Sequence, residues 1–347
     1  MSAPATRAER AVPAPGHASR RRTRTVAAAL AGAVVVLFFC KVLLGTFVVS
    51  LPDFLAVLGG RTIQGVSFIV MDDRLPAAVV GILAGAAFGA SGSTFQTLLR
   101  NPLASPDVIG VGYGSAAAAV VGILVFSLQG PALGALAFFG GLAVALALYA
   151  LADSGRHTGG RLILMGIGFA AMLQAVINYL LTRTDVRTAG EALHWLVGSL
   201  NTSTWERAGI LAAALAVLFP LAAFASARLR ILALGDDSAA ALGLNVRATR
   251  LGIVVVGVAL CAAAISVTGP LAFVAFLSGP IARMLCGGRP SLLCSALTGA
   301  VLVLGAEFAG SNAFGATSLP VGVVTGALGA PFLLWLLVRS NSRGTGG

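Results

Sequence analysis

The chain predicts an all-α fold, a polytopic membrane helical bundle of about ten transmembrane helices, and three observations carry that prediction. First, 58% of its residues are hydrophobic and only 10% charged, where a soluble domain is about one quarter charged. Mean hydropathy is correspondingly high at +0.95. Second, the apolar residues fall into long runs, and the charges sit in the short gaps between them. Third, the stretch from Asp73 to Ala119 shows the repeating unit complete. Two apolar runs are joined by a polar hinge, Arg100-Asn101-Pro102-Leu103-Ala104-Ser105-Pro106, whose prolines stop one helix before the chain turns back.

Taken in order, residues 1–25 are rich in Pro, Ala and Arg and read as a disordered basic cytoplasmic tail. The run at 26–49 exceeds the apolar core of a secretory signal, and no small-residue cleavage site follows it, so it is the first membrane helix. The second, 75–98, opens on Leu75-Pro76 and carries Gly81, Gly85, Gly89 and Gly92, which let neighbouring helices approach closely in lipid. Further spans are expected at 107–127, with Asp107 as a capping carboxylate, and at 132–152, 161–181, 205–225 and 249–268. The eighth, 272–286, is short and interrupted by Pro280, which predicts a broken or tilted helix. The ninth and tenth lie at 291–309 and 320–338, so one transmembrane domain covers 26–339 and a short cytoplasmic tail covers 340–347.

Two loops carry structure of their own. The loop from Thr182 to Thr204 predicts a short interfacial helix with Trp195 at headgroup level. The loop at 226–247 predicts a helix over Asp236 to Leu242, lying outside the membrane. Acidic residues open it, and Gly235 and Gly243 flank it as start and stop signals.

A net charge of +11 could point to nucleic acid, but the arginines form no basic face. They mark topology instead. With the N-terminus inside, the outer gaps hold Arg61, Arg74, Arg183, Arg187 and Arg207, whereas the inner segments hold seventeen arginines. That bias predicts ten spans in a bacterial cell membrane with both termini cytoplasmic.

The chemistry-bearing residues are few. Cys40, Cys261, Cys286 and Cys294 lie in apolar surroundings without metal-ligand spacing, and His17, His157 and His194 are far apart, so neither a metal nor a cofactor is expected. Lys41 is the sole lysine and follows no glycine-rich loop, which excludes a phosphate-cradling GxxxxGK(S/T). Any ATP used must be bound by another polypeptide. Glu307 is the one carboxylate well within a span, near its outer end, where either a functional or a hydrogen-bonded structural role fits. Paired carboxylates and a Ser/His/Asp set are both missing, which weighs against a proton-driven carrier and a hydrolase.

Four motifs in order then carry a resemblance. They are Arg74-Leu75-Pro76 with the glycines, Gln96 and the hinge at 100–106; Leu234-Gly235-Asp236 to Ala241-Leu242-Gly243; Gly269-Pro270-Leu271-Ala272-Phe273-Val274 with Arg283; and Leu319-Pro320-Val321-Gly322 through Gly329-Ala330-Pro331-Phe332. Together they resemble the FecCD-type permease subunits of ATP-binding-cassette importers for iron-siderophores, haem and vitamin B12.

The resemblance implies a transport subunit without covalent chemistry, working with ABC ATPase subunits, an extracytoplasmic substrate-binding protein and a second permease chain, identical or not. It implies that Leu234, Gly235, Asp236, Asp237, Ala241, Leu242 and Gly243 form the helix that couples to the ATPase. Arg74, with Arg61 on the same outer loop, is implied to meet acidic residues of the binding protein. Arg100, Asn101, Pro102, Pro106, Pro320 and Gly322 are implied to be hinge and structural positions. The chain departs from the family in three places: Ala77 replaces the second arginine of the RLPR pattern, Gly310-Ser311-Asn312 stands where a basic residue is often found near the last outer loop, and no histidine follows Pro280. The cargo expected is a ferric siderophore or related metal chelate. The rival reading is a stand-alone ion-coupled carrier, which leaves the coupling motif unexplained.

Overall fold

The computed structural model describes residues 17–106, 110–152, 158–313 and 318–344. Residues 1–16, Asp107, His157 and the last three residues lie outside them. In chain order the helices are α1 (His17–Leu43), α2 (Leu51–Leu58), α3 (Val66–Phe68), a π-helical turn (Ile69–Arg74), α4 (Leu75–Leu98), α5 (Val111–Leu124), α6 (Gly130–Ala152) and α7 (Thr158–Thr182). They continue with α8 (Val186–Val197), α9 (Trp205–Leu232), α10 (Asp236–Ala241), α11 (Val246–Thr268), α12 (Val274–Leu285), α13 (Leu292–Asn312) and α14 (Val321–Gly344).

Each of the ten expected apolar segments contains a helix. Among the described residues seven helices are long and apolar enough to cross a membrane, while the apolar parts of α5, α12 and α14 are shorter. The first helix starts at His17, well before Val26, so the arginines of residues 20–24 form its opening turns rather than a tail.

At the centre stands α4, buried on every side from Leu75 to Gln96 and packed against α13, α11, α12 and α9. Its glycines explain this. A Cβ on Gly85 would lie 2.5 Å from the Gly299 carbonyl oxygen, and one on Gly89 or Gly92 would overlap the carbonyl of Ser295 or Ala275. Backbones therefore touch without intervening side chains, the arrangement that gives helices contact area in lipid. Ser91 adds a hydrogen bond to the Gly257 carbonyl of α11 at 2.5 Å.

At two prolines a neighbouring element donates to the backbone carbonyl that loses its helical partner. Pro280 sits inside α12 and has no N–H for the Phe276 carbonyl four residues earlier. The buried Gln96 Nε2 of α4 donates to that oxygen at 3.0 Å. The helix is thus short and continuous rather than broken. Likewise Pro76 cannot donate to Met71 in the π turn, and Trp205 Nε1 does so at 2.7 Å.

Trp195, at the end of α8, packs partly buried against Ala119, Ala192 and Leu133. The reason is a tight backbone crossing: a Cβ on Gly269 would lie 2.5 Å from the Trp195 carbonyl oxygen, which draws the end of α8 into the bundle.

The first helix docks on α13 with an ion pair between Lys41, partly buried, and Glu307, buried. Lys41 Nζ lies 2.5 Å from Glu307 Oε1, with side chains 13% and 3% exposed, and Ser311 donates to the same oxygen at 3.2 Å. Removing one partner strands a charge, whereas an apolar pair restores packing. Lys41→Met or Glu307→Leu alone should destabilise the protein by about 3 kcal/mol and the double variant by clearly less than the two together, measured by thermal unfolding in detergent.

Candidate functional site

The two ends of the bundle gather different residues. At one end, α10 follows the last turn of α9, and its flanking glycines have φ of +108° (Gly235) and +80° (Gly243), values that glycine adopts without the penalty of a Cβ. Ala239 is fully buried among Ala225, Leu229, Leu232 and Ile253, which fixes one side of α10 to α9 and α11. Asp236 pairs with Arg250 of α11 at 2.7 Å across the helix start. The remaining side is open: Leu234 and Leu242 are 64% and 66% exposed, and Asp237 and Ala241 face solvent. The short helix is thus held on its inner face and displays two leucines on its open side.

The hinge at 100–106 lies against the end of α9 that leads into this helix. Arg100 has a φ of +51° and directs Nη2 to the carbonyls of Leu232 and Ala233 at 3.0 and 3.2 Å. These belong to the C-terminal turn of α9, where carbonyls lack helical partners. Asn101 closes the turn, its Oδ1 accepting from the Leu103 amide at 2.9 Å and its carbonyl from the Ala104 amide at 3.1 Å. Arg283 of α12 donates to Thr97 Oγ1 at 2.8 Å, and Arg22 of α1 donates to the Leu285 carbonyl at 3.0 Å. The start of α1, the ends of α4, α9 and α12, and α10 therefore form one assembly. Pro102 is exposed at the turn's surface and Pro106 is buried at its end.

At the opposite end the structure separates the two expected docking arginines. Arg61, between α2 and α3, is exposed. Arg74 turns inward and is only 7% exposed. Its Nη1 and Nη2 donate to the carbonyls of Val42 at 2.9 Å and Phe47 at 2.7 Å, capping the end of α1. Asp72 and Asp73, its neighbours, face solvent instead. Pro320 precedes α14, and Gly322 lets the backbone of α14 meet the Val197 carbonyl of α8. Asp185 N-caps α8, and the Thr188 amide holds its carboxyl below the usual carboxylate range.

Between α5, α7, α8 and α14 lies a cavity of about 460 Å³ bordered by Tyr113, Gln174, Ile177, Val197, Ala272 and Gly322. Helix α7 is scarcely buried, yet carries Gln174 and Asn178, which hydrogen-bond to each other at 2.9 Å on an exposed face. Sequence reading passed over this pair, although two amides at i and i+4 in an apolar helix are a visible signal. It also passed over Lys41 with Glu307 and Asp236 with Arg250. Among the described residues no group of three His, Cys, Asp or Glu side chains could hold a metal ion.

With this geometry in hand, comparison with known proteins assigns the class. The chain matches the FecCD transport family over residues 29–339 and belongs to it. It is 37% identical over 300 residues to the ferric enterobactin transport system permease protein FepG of Escherichia coli, covering 86% of this chain and 91% of that one. It is 35% identical over 327 residues to the Fe(3+)-citrate import system permease protein YfmE of Bacillus subtilis, covering 92% and 97%. Among solved structures, a metal-chelate type ABC transporter in an inward-facing conformation superposes with a TM-score of 0.77 over 91% of this chain and 99% of that one, at 23% identity. The protein is therefore a multi-pass membrane permease of an ABC importer.

The burial of Arg74 has a measurable consequence. Arg74→Leu strands two carbonyls and should destabilise the protein by about 2 kcal/mol, whereas Arg61→Ala should leave thermal unfolding in detergent unchanged. Equal effects of the two variants would mean that Arg74 does not cap α1.

Proposed function

We propose that this permease carries a ferric siderophore or related metal chelate into a bacterial cell, in a complex with two ABC ATPase subunits, a second permease chain and an extracytoplasmic binding protein. The observation that carries the reading is α10: a helix anchored by Ala239 and Asp236 that leaves Leu234 and Leu242 exposed. Lacking a phosphate loop of its own, the chain needs nucleotide binding from a partner, and α10 is the docking element for it. Nucleotide-driven movement of the ATPases then shifts α10 and alternates access to the pathway.

The ends of the bundle support a topology of ten spans with both termini inside. Helices α1, α4, α9 and α12 have their arginine-bearing or hinge ends at the same end of the bundle as α10, while Arg61, Arg207 and α8 lie at the other end. On that outer face Arg61, rather than Arg74, is the arginine available to an acidic partner residue. The cavity beside α7 is one wall of the pathway. Polar residues on an otherwise unburied membrane helix are expected to face a water-filled cavity or a partner rather than lipid, and Gln174 and Asn178 fit that place. Relatives named for ferric enterobactin and ferric citrate support an iron-chelate cargo.

Purification of the tagged importer in mild detergent tests the reading. The wild-type chain should bring an ATPase bearing GxxxxGK(S/T). Leu234→Glu with Leu242→Glu should lose that ATPase, with binding weakened at least about 100-fold, while thermal unfolding of the permease stays within about 1 kcal/mol because both side chains are exposed. A wild-type chain that is purified alone, while control importers retain their ATPases, would favour the self-contained carrier.

A further inference from the structure

We propose that Arg100 is a positioning residue that transmits movement of α10 to α12 through the last turn of α4. The inference rests on the importer reading above and assigns a path inside the permease. Its first element is a backbone outlier: Arg100 holds φ at +51°, a left-handed conformation that a non-glycine residue adopts only at a cost. That conformation, directly after α4, aims the guanidinium across the end of α9. There it bonds to Leu232 and Ala233, the two carbonyls that immediately precede the lead-in to α10. One charged nitrogen shared between two successive carbonyls ties the guanidinium to that corner more firmly than a single neutral contact would.

The second element is the connection onward. One turn before Arg100, Gln96 donates to the Phe276 carbonyl that Pro280 leaves free, and Thr97 accepts from Arg283. Two bonds thus tie the end of α4 to the first and to the last turn of α12. No slack lies between these contacts, because Gly279 has only enough room for Gln96: a Cβ there would overlap the Gln96 Oε1. Displacement of the α9–α10 corner therefore pulls on Arg100, turns the end of α4, and is delivered to α12. The centre of α4 stays fixed by its backbone contacts with α13, so the movement is confined to the last turn.

The choice of variants separates transmission from stability. Arg100→Gly removes the guanidinium but suits the left-handed backbone. Because Arg100 is exposed, water can replace its bonds, so the variant should stay folded, with thermal unfolding close to that of the wild type. Arg100→Gln removes the charge and keeps a polar side chain, and Arg100→Lys keeps one charged donor. Each is assembled with its ATPase in detergent or nanodiscs. Hydrogen exchange of α12 amides is then compared in the nucleotide-free state and after trapping with ATP and vanadate, a readout that requires no transported cargo. In the wild-type complex α12 exchange should change on trapping. In the Gly and Gln variants the ATPase should remain bound and active, while the response of α12 falls about ten-fold, the scale of losing a charge-assisted hydrogen bond. Arg100→Lys should recover part of it. Variants whose α12 responds like the wild type would overturn the proposal. So would loss of the ATPase from the variants, which would make Arg100 part of the docking surface, or a wild-type complex whose α12 does not respond. A wild-type preparation that holds no ATPase would instead overturn the importer reading, and this would be seen before any variant was compared.

Discussion

Backbone-to-backbone packing of α4 against α13 is the constraint on which the remaining architecture depends. Gly85 and Gly89 face Gly299 and Ser295 with no side chain between them, and Gly92 does the same against Ala275 of α12. Such packing has no driving force from water exclusion inside lipid, so close van der Waals contact and polar bonds must replace it. A helix packed this way cannot slide along its neighbours without losing contact along its length. The rest of the protein is arranged around that fixed post: α11 through Ser91 and Gly257, α1 on the far side of α13 through Lys41 and Glu307, and α12 through Gln96.

Proline gives this rigid centre its polar connections. In a bilayer an unpaired carbonyl is costly, so a proline inside or beside a helix creates a demand for a donor. The demand at Phe276 is met by Gln96 and that at Met71 by Trp205, each from another helix. What would be a defect in an isolated helix becomes a specific tertiary bond. Both bonds lie near the ends of α4 rather than at its middle, where the glycines already exclude side chains. The post is therefore tight at its centre and joined by directional bonds at its ends, which suits a protein that must move at its two faces while keeping a sealed middle.

Much of this was legible in the chain, and the failures have a common cause. The apolar segments, the turn at 100–106 and the short helix at Asp236 follow from local rules, since hydropathy, proline and flanking glycine act within a few residues. Glycine spacing in the second segment likewise announced close packing, although not against which helix. The direction of a side chain at a helix end was not legible. Arg74 reads identically whether it turns out to a partner or in to cap α1, and only the position of residues 42–47 decides. The partial burial of Trp195 was not legible for the same reason, because the crossing at Gly269 that draws the end of α8 inward lies far along the chain. The Lys41–Glu307 pair spans 266 positions, and nothing local links its members. The arginine-rich start of α1 was read as tail because charge masked a helix that gains its partners from α12 and α13.

The central claim is that α10 is the inner-face contact through which a separate ATPase drives this permease. A photoreactive amino acid placed at Ser238, an exposed position on α10, tests it in native membranes. The account predicts a cross-link to a polypeptide carrying GxxxxGK(S/T), with a yield that changes when ATP and vanadate are added. A cross-link to an extracytoplasmic protein, or none to any ATPase while an equivalent site in a control importer reacts, would contradict it.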